Sequence, residues 1–219
     1  MEQLINECEK LKIERNDLLT KLNKLIRTCT KAYDTYEFHE AYQALNQFCV
    51  VDMSQFYLDI IKDRLYTFKK NSNERRAAQT VMYEILSCLV RIMAPMTAFT
   101  AEEIWKYMPH RKDDNLESVM LNFYPKVNPE YEDVALEMKW TKLIKVKELV
   151  SKKLEIERAE KRIGTSLEAK VTLYAEGEEY NFLKGKEELL KEIFIVSNVK
   201  VEDNRRNEDA QVDIGIKVS

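Results

Sequence analysis

The segment Leu4–Leu25, LINECEKLKIERNDLLTKLNKL, carries the apolar spacing of a packed helix. Leucines and one cysteine recur at alternating intervals of four and three residues, interrupted only by an arginine; the positions are 4, 8, 11, 15, 18, 22 and 25. This alternation places about one side chain per turn on the same stripe of an α-helix. The spacing therefore predicts a long amphipathic helix whose stripe packs against other elements.

Glycine and proline are scarce, and their placement extends the helical prediction. The chain of 219 residues has four of each, and the first 94 residues contain neither. An all-β sandwich needs turn residues about every ten positions, and a phosphate-binding loop needs closely spaced glycines. Both are excluded, so the first half of the chain is expected to be nearly all helical.

Further helical faces follow the first segment. Apolar residues recur at helical spacing in 38–49, 57–68 and 82–93, and Pro95 should end the third run. Capping-box pairs suggest helix starts at Asp52, with Gln55, and at Thr100, with Glu103. The second start has a hydrophobic staple at Phe99 and Ile104, and the polar run 69–76 reads as a loop between helices.

The last third changes character. Residues 109–135 hold three of the four prolines and should be irregular, and 136–162 is a long charged helix. After Gly164 the pattern predicts a strand at 169–174, a helix at 178–191, a β-rich run at 194–201, an exposed loop at 202–211 and a strand at 212–218. The predicted fold is mainly α, with a helical domain at 1–126, a connection and long helix at 127–162, and a small α+β (βαββ) domain at 163–219.

Composition limits the chemistry that the chain can support. The four cysteines lie twenty or more residues apart, so no metal knuckle is expected, and each falls in an apolar helical pattern typical of reduced core thiols. The two histidines, His39 and His110, form no pair for a metal or a catalytic triad. We therefore expect neither an active site nor a metal site. No signal peptide or membrane span is apparent, which predicts a cytoplasmic protein.

Local charge is more informative than the net charge of −3. Residues 62–76 carry six basic side chains against two acidic ones, and residues 139–162 carry nine against four, so the remaining residues carry −12. This asymmetry favours a polyanion-binding side over two ordinary solvated faces. The candidate contact residues are Lys62, Tyr66, Lys69, Lys70, Arg75 and Arg76, followed by Lys142, Lys145, Lys152 and Lys153.

Helical spacing would place Lys62, Tyr66, Lys69 and Lys70 on one face. Cations interleaved with an aromatic ring can follow a phosphate backbone and stack on a base. Arg64 falls nearer the apolar face, so a buried ion pair is the alternative to a phosphate contact for this residue.

Three long segments, 36–66, 74–86 and 91–105, resemble the bacterial isoleucyl-tRNA synthetases, which are class I aminoacyl-tRNA synthetases. The strings IGTSLEAKVTLY at 163–174 and VDIGIKV at 212–218 resemble the C-terminal junction of the same enzymes. The resemblance implies a helical anticodon-binding domain followed by that junction, with the anticodon stem-loop of isoleucine tRNA as partner and the catalytic domain of the same chain as neighbour.

The resemblance also implies what this chain lacks. The signatures H-I-G-H and K-M-S-K-S, which hold ATP in the family, are absent from the sequence. We therefore expect no cofactor and no aminoacylation here, while ATP and magnesium, with zinc left open, belong to the parent enzyme. Two alternatives remain: the matching part of a valyl or leucyl enzyme, and a helical protein-interaction module that self-associates through the leucine stripe at 4–25.

Overall fold

The fold is known from a computed structural model that describes residues 2–203 and 214–218, with side chains from 17 to 203. It divides into two compact units, Met1–Met138 and Lys139–Ser219. Helices dominate the first unit and a small sheet with helices forms much of the second, which confirms the predicted mainly α class. The predicted division at residues 126 and 162 stays a prediction.

The first unit is a set of helices joined by short turns. Its helices are α1 (Glu2–Asp34), α2 (Phe38–Gln47), a π-helical continuation (Phe48–Tyr57), α3 (Leu58–Ile60), α4 (Lys62–Tyr66), α5 (Asn73–Met93) and α6 (Ala98–Tyr107). The chain from 108 to 133 is irregular apart from two short 3-10 turns, Val119–Leu121 and Pro129–Tyr131. The irregular stretch agrees with the proline-based prediction.

The long first helix is the centre of the main core. Its stripe residues Leu18, Leu22 and Leu25 are buried, and α1 packs against α2 and α5. Positions 4, 8, 11 and 15 of the predicted stripe lie outside the described side chains. The period of four and three therefore correctly identified a packed helix, and Thr20 and Asn23 beside the stripe are buried too.

The prediction of the second apolar face, in residues 38–49, was only partly right. Ala41 and Phe48 are buried, whereas Phe38, Tyr42 and Cys49 are exposed. The predicted helix start at Asp52 is wrong, because the backbone stays helical from Phe48 to Tyr57 in π geometry. Asp52 instead forms an ion pair with Lys21 of α1, Nζ to Oδ1 2.8 Å.

The start of α6 was also misplaced. The helix begins at Ala98 and Thr97 occupies the N-cap position, so the predicted box at Thr100 lies inside the helix. The predicted staple is wrong too, because Phe99 is 94% exposed. Pro95 does end α5, and a bond from Thr97 N to Met93 O, 2.9 Å, closes the turn that lets helix resume three residues beyond the proline.

The helix α7 (Val134–Ala159) leads into the second unit, with four of its five predicted apolar residues buried: Trp140, Leu143, Val150 and Leu154. Strands β1 (Lys170–Ala175), β2 (Asn198–Asp203) and β3 (Ile214–Val218) form a sheet of order β2-β1-β3. β1 pairs with β2 in parallel and with β3 in antiparallel, and the crossover carries α8 (Gly177–Leu183) and α9 (Glu187–Phe194).

The predicted βαββ order is present, with two differences. The single helix expected at 178–191 is two helices, separated at Gly185, whose φ of +79° suits glycine. The β-rich run from Phe194 begins later, because Phe194 ends α9 and the strand starts at Asn198. In the predicted loop 202–211, residues 202 and 203 still belong to β2, and the others lie outside the described residues.

Candidate nucleic-acid interface

The first basic segment, 62–76, comprises α4, a short loop and the start of α5. Ser72 occupies the N-cap of α5, and its Oγ accepts a bond from Arg75 N at 3.3 Å. A guanidinium nitrogen of Arg75 donates to Phe68 O, 3.2 Å, and Ser72 N donates to Lys69 O, 2.9 Å. These bonds fix the loop 67–72 against the first turn of the helix.

The sequence predicted one helix face shared by Lys62, Tyr66, Lys69 and Lys70, and this prediction is wrong. Helix α4 ends at Tyr66, and Thr67 Oγ1 bonds back to Asp63 O at 2.6 Å, so the two later lysines belong to the loop. Both loop lysines are nevertheless exposed, and Tyr66 at the helix end is 83% exposed. The loop therefore still offers two ammonium groups and the helix end offers one open ring.

The remaining cations of this segment have different roles. Lys62 is exposed and pairs with Asp59, Nζ to Oδ1 2.6 Å, and this hydrogen-bonded charge raises the pKa of Lys62. Arg64 is buried, as its apolar position suggested. Arg75 is half-buried and holds the loop, whereas Arg76 is exposed in the first turn of α5.

Sequence reasoning missed the end of α5 itself. A helix N-terminus carries unpaired N–H groups and a partial positive charge, which attract anions. This end lies directly after Lys69 and Lys70 and includes Arg76. The signal in the sequence was Ser72, a favoured N-cap residue, but the polar run around it was read as loop up to residue 76. The combined features suit a phosphate-bearing ligand.

The second basic group lies on α7. Lys142, Lys145 and Lys152 are exposed at spacings of three and seven residues, which places them along one side of the helix. Lys153 does not belong with them: it is half-buried, and its Nζ lies 3.4 Å from an oxygen of the buried Glu157. Arg162 bonds to the other oxygen of the same carboxylate.

This carboxylate makes a testable contribution to stability. Its hydrogen bonds and charge contacts with Arg162 and Lys153 lower the pKa of Glu157. A carboxylate with a lowered folded-state pKa stabilises the fold above its ordinary pKa and loses that contribution as the pH falls through the lowered value. In thermal melts, Glu157→Gln should lower the Tm at pH 7, and the difference from the unmodified protein should shrink as the pH falls below about 4.5 and disappear below the lowered pKa.

The exposed Glu155 on the same helix provides the matched control. Glu155→Gln should leave the Tm nearly unchanged at both pH values. A Glu157→Gln difference that is absent at pH 7, or that grows towards low pH, would contradict the assignment.

Aromatic and basic side chains of α8 and the turn after it were also missed. Lys142 Nζ lies 5.7 Å and Lys186 Nζ 4.8 Å from the ring centroid of Phe182, and Lys184 Nζ lies 5.4 Å from that of Tyr180. Such cation–π contacts hold ammonium groups in place near the surface. The alternation of aromatic residues and lysines over 180–186 was the available signal.

The histidines and the potential metal ligands among the described side chains are scattered. Among the described side chains, 17–203, no group of three or more His, Cys, Asp or Glu residues could hold a metal ion. His39 is exposed, and His110 packs against the ring of Trp105, centroids 4.7 Å apart. Across the same residues, none of the helices combines the length and apolar character that crossing a bilayer requires.

The thiols mostly fit the expectation of core cysteines. Cys29 is buried and Cys88 is half-buried, and burial raises the pKa of each to about 11. Cys49 departs from it, because its side chain is exposed on the π-helical segment. Cys8 lies outside the described side chains.

Comparison with known proteins identifies the family of the chain. The chain is similar to isoleucine–tRNA ligases of Caldanaerobacter subterraneus subsp. tengcongensis (49% identical over 185 residues, 84% of this chain), Caldicellulosiruptor saccharolyticus (47% over 197 residues, 90%) and Desulforamulus reducens (52% over 183 residues, 84%). It spans about a fifth of each relative, 20%, 21% and 20% respectively. The sequence model described as the anticodon-binding domain of tRNA ligase matches residues 15–173. The chain therefore belongs to the family of anticodon-binding domains of tRNA ligases.

Proposed function

We propose that the chain binds the anticodon arm of isoleucine tRNA as part of an isoleucine–tRNA ligase. The observation that carries the proposal is the cationic loop 67–72 with the N-terminus of α5, in a chain whose residues 15–173 match an anticodon-binding domain. The names of its relatives support the choice of isoleucine over valine or leucine as the cognate amino acid. The isolated chain is expected to be non-catalytic.

The first contact surface is proposed to be the loop 67–72 with the residues on either side of it. Lys69, Lys70 and Arg76 would contact phosphate oxygens, and Tyr66 would stack on an unpaired base. Arg75 would act by holding the loop through Phe68 O. Lys62, already paired with Asp59, would add a weaker contact.

The second contact surface is proposed to be the exposed side of α7. Lys142, Lys145 and Lys152 would contact the RNA backbone. Lys153 was among the expected contacts, but its ion pair with Glu157 suits a structural role better.

The parent reaction would be the ATP-dependent attachment of isoleucine to its tRNA. ATP and magnesium, and zinc if it is used, would be held by parts of the ligase other than this chain. The catalytic domain would be the covalent neighbour, and the cytoplasm, where tRNA is charged, would be the location.

Replacing Lys69, Lys70 and Arg76 together with glutamine should weaken binding of isoleucine tRNA and flatten its salt dependence. Each lost phosphate contact should reduce the magnitude of the slope of log K against log salt by about 0.7 to 0.9, so three should reduce it by about 2.1 to 2.7. Titration by fluorescence anisotropy at several salt concentrations measures this. Lys106, Lys112 and Lys126, which are exposed elsewhere in the first unit, give a matched triple-glutamine control.

The control removes the same charge, so its slope should change much less. Equal slopes for the two triple variants would reject the loop as the contact surface. tRNAs that accept valine or leucine serve as competitors: equal affinity for all three would contradict isoleucine specificity, and no binding of any tRNA would contradict the function itself.

A further inference from the structure

The turn between α1 and α2 presents aromatic rings to solvent. Tyr36 is 80% exposed and Phe38 is about half exposed, and Tyr42, one helical turn later, is also exposed. Large rings in these numbers are uncommon on a surface without a partner. The proposed RNA contacts use none of them.

Tyr36 also occupies a backbone position that normally suits glycine. Its φ is +59°, in the left-handed region, immediately after the last residues of α1. Bonds from Tyr36 N to Tyr33 O, 3.2 Å, and from Glu37 N to Ala32 O, 2.7 Å, close the helix end as a glycine usually would. Because the side chain is mostly exposed, its contacts within the chain offset little of the free-energy cost of the positive φ. This points to an external contact.

The exposed rings are held in place from the core. Tyr36 and Phe38 meet edge to face, centroids 6.2 Å apart, and Phe38 lies 5.9 Å from Tyr33. Tyr33 in turn contacts Tyr124 at 6.1 Å and donates a hydrogen bond to Ile92 O, 2.7 Å. The outer rings therefore form a preorganised surface that loses little side-chain freedom on binding.

The charges around these rings are acidic. Residues 34–40 include the carboxylates of Asp34, Glu37 and Glu40 and contain no lysine or arginine. The exposed Lys31 lies one turn earlier on α1. Phosphate groups would be repelled here, whereas a guanidinium can stack flat on a ring and pair with a carboxylate at the same time.

The turn also lies far from the cationic loop. The bond from Tyr33 to Ile92 places it beside the C-terminal end of α5, and the loop precedes Asn73 at the other end. A helix of 21 residues spans about 30 Å. The two surfaces can therefore be occupied at the same time by different partners.

We propose that the acidic aromatic turn, residues 34–42, is a docking surface for an arginine-bearing protein segment. Tyr36 and Phe38 would stack on guanidinium groups, and Asp34, Glu37 and Glu40 would supply the charge. The inference is independent of RNA binding, because it uses the opposite end of the first unit.

The test uses a blocked twelve-residue peptide with four arginines in an alanine background and its lysine counterpart, each titrated into the 219-residue protein at low salt. The arginine peptide should bind several-fold more tightly, because the lysine ammonium cannot stack flat. Tyr36→Gly and Tyr36→Asn should each weaken it by about threefold to tenfold. Their Tm should stay at least as high as that of the unmodified protein, because both residues tolerate positive φ.

Tyr66→Asn is the matched control, since this tyrosine is equally exposed at the other end of the unit. It should leave peptide binding unchanged. Unchanged peptide affinity in both Tyr36 variants, or equal affinity for the arginine and lysine peptides, would overturn the proposal. Weaker binding of an anticodon stem-loop RNA to Tyr36→Gly than to the unmodified protein, measured without peptide, would overturn it as well, and would show that RNA occupies the turn.

Discussion

Replacing Asp114 with alanine should lower the free energy of unfolding by about 3 kcal/mol. The side chain of Asp114 is only 5% exposed, and one of its oxygens accepts a bond from Arg91 Nη2 at 2.5 Å. The other oxygen accepts a bond from Arg111 N at 2.8 Å. The carboxylate therefore joins the end of α5 to the segment that follows α6.

The cost arises mainly from the arginine that stays behind. The guanidinium of Arg91 is largely buried and lies over the ring of Trp105, 5.2 Å from its centroid. A buried cation that loses its carboxylate partner keeps most of its desolvation penalty, and this usually costs more than the pair contributed. The effect should therefore exceed that of removing an exposed ion pair, about 0.5 kcal/mol.

Urea unfolding followed by circular dichroism measures the loss. Asp113→Ala, one residue earlier and exposed, should change the unfolding free energy by less than about 0.5 kcal/mol. Adding Arg91→Leu to Asp114→Ala should recover part of the loss, because it removes the uncompensated charge. A loss below 1 kcal/mol for Asp114→Ala would show that solvent reaches Arg91 freely.

The helices themselves could be predicted from apolar spacing, because side chains that recur at the helical period lie on the buried face of the helix. Leu18, Leu22 and Leu25 fall on the predicted stripe and are buried. The local start signals were less reliable. Asp52 has the spacing of a capping residue, but its carboxylate pairs with Lys21, thirty-one residues earlier. A local motif cannot reveal a partner that tertiary packing supplies.

The candidate site shows the same limit. The spacing of Lys62 to Lys70 suggested one helix face, yet α4 stops at Tyr66 and the loop then places Lys69 and Lys70. Charge in the sequence selected the region as a candidate, and the structure places Lys69, Lys70 and Arg76 at the surface there. The separate roles of Arg64, Arg75 and Arg76 follow from burial and from a bond to Phe68 O, which composition does not encode.

Asn23→Ala should lower the free energy of unfolding by about 2 kcal/mol. Asn23 is 1% exposed on α1, and its amide makes a two-sided contact with the backbone of Asn128. Its Nδ2 donates to Asn128 O at 2.7 Å, and its Oδ1 accepts from Asn128 N at 3.0 Å. Alanine would leave the partly buried N–H and carbonyl oxygen of Asn128 without these hydrogen-bond partners.

The contact matters because it fixes an irregular segment to a helix. Thr20, one turn earlier, donates from Oγ1 to Tyr131 O at 2.6 Å, and Arg27, one turn later, pairs with Glu132. The segment 128–132 has few buried apolar side chains of its own, so polar bonds supply much of its attachment. Losing the central one should loosen the whole segment rather than a single bond.

Two measurements separate this local effect from general destabilisation. Hydrogen exchange at Asn128 N should accelerate in Asn23→Ala by more than at amides in the middle of α5, since opening would begin at the segment. Asn23→Asp should be at least as harmful, because it keeps the acceptor but sets an oxygen against Asn128 O. Lys24→Ala, which removes an exposed partner of Glu137, should cost less than about 0.5 kcal/mol. Equal losses for Lys24→Ala and Asn23→Ala would mean that the segment is held by charge rather than by the buried amide.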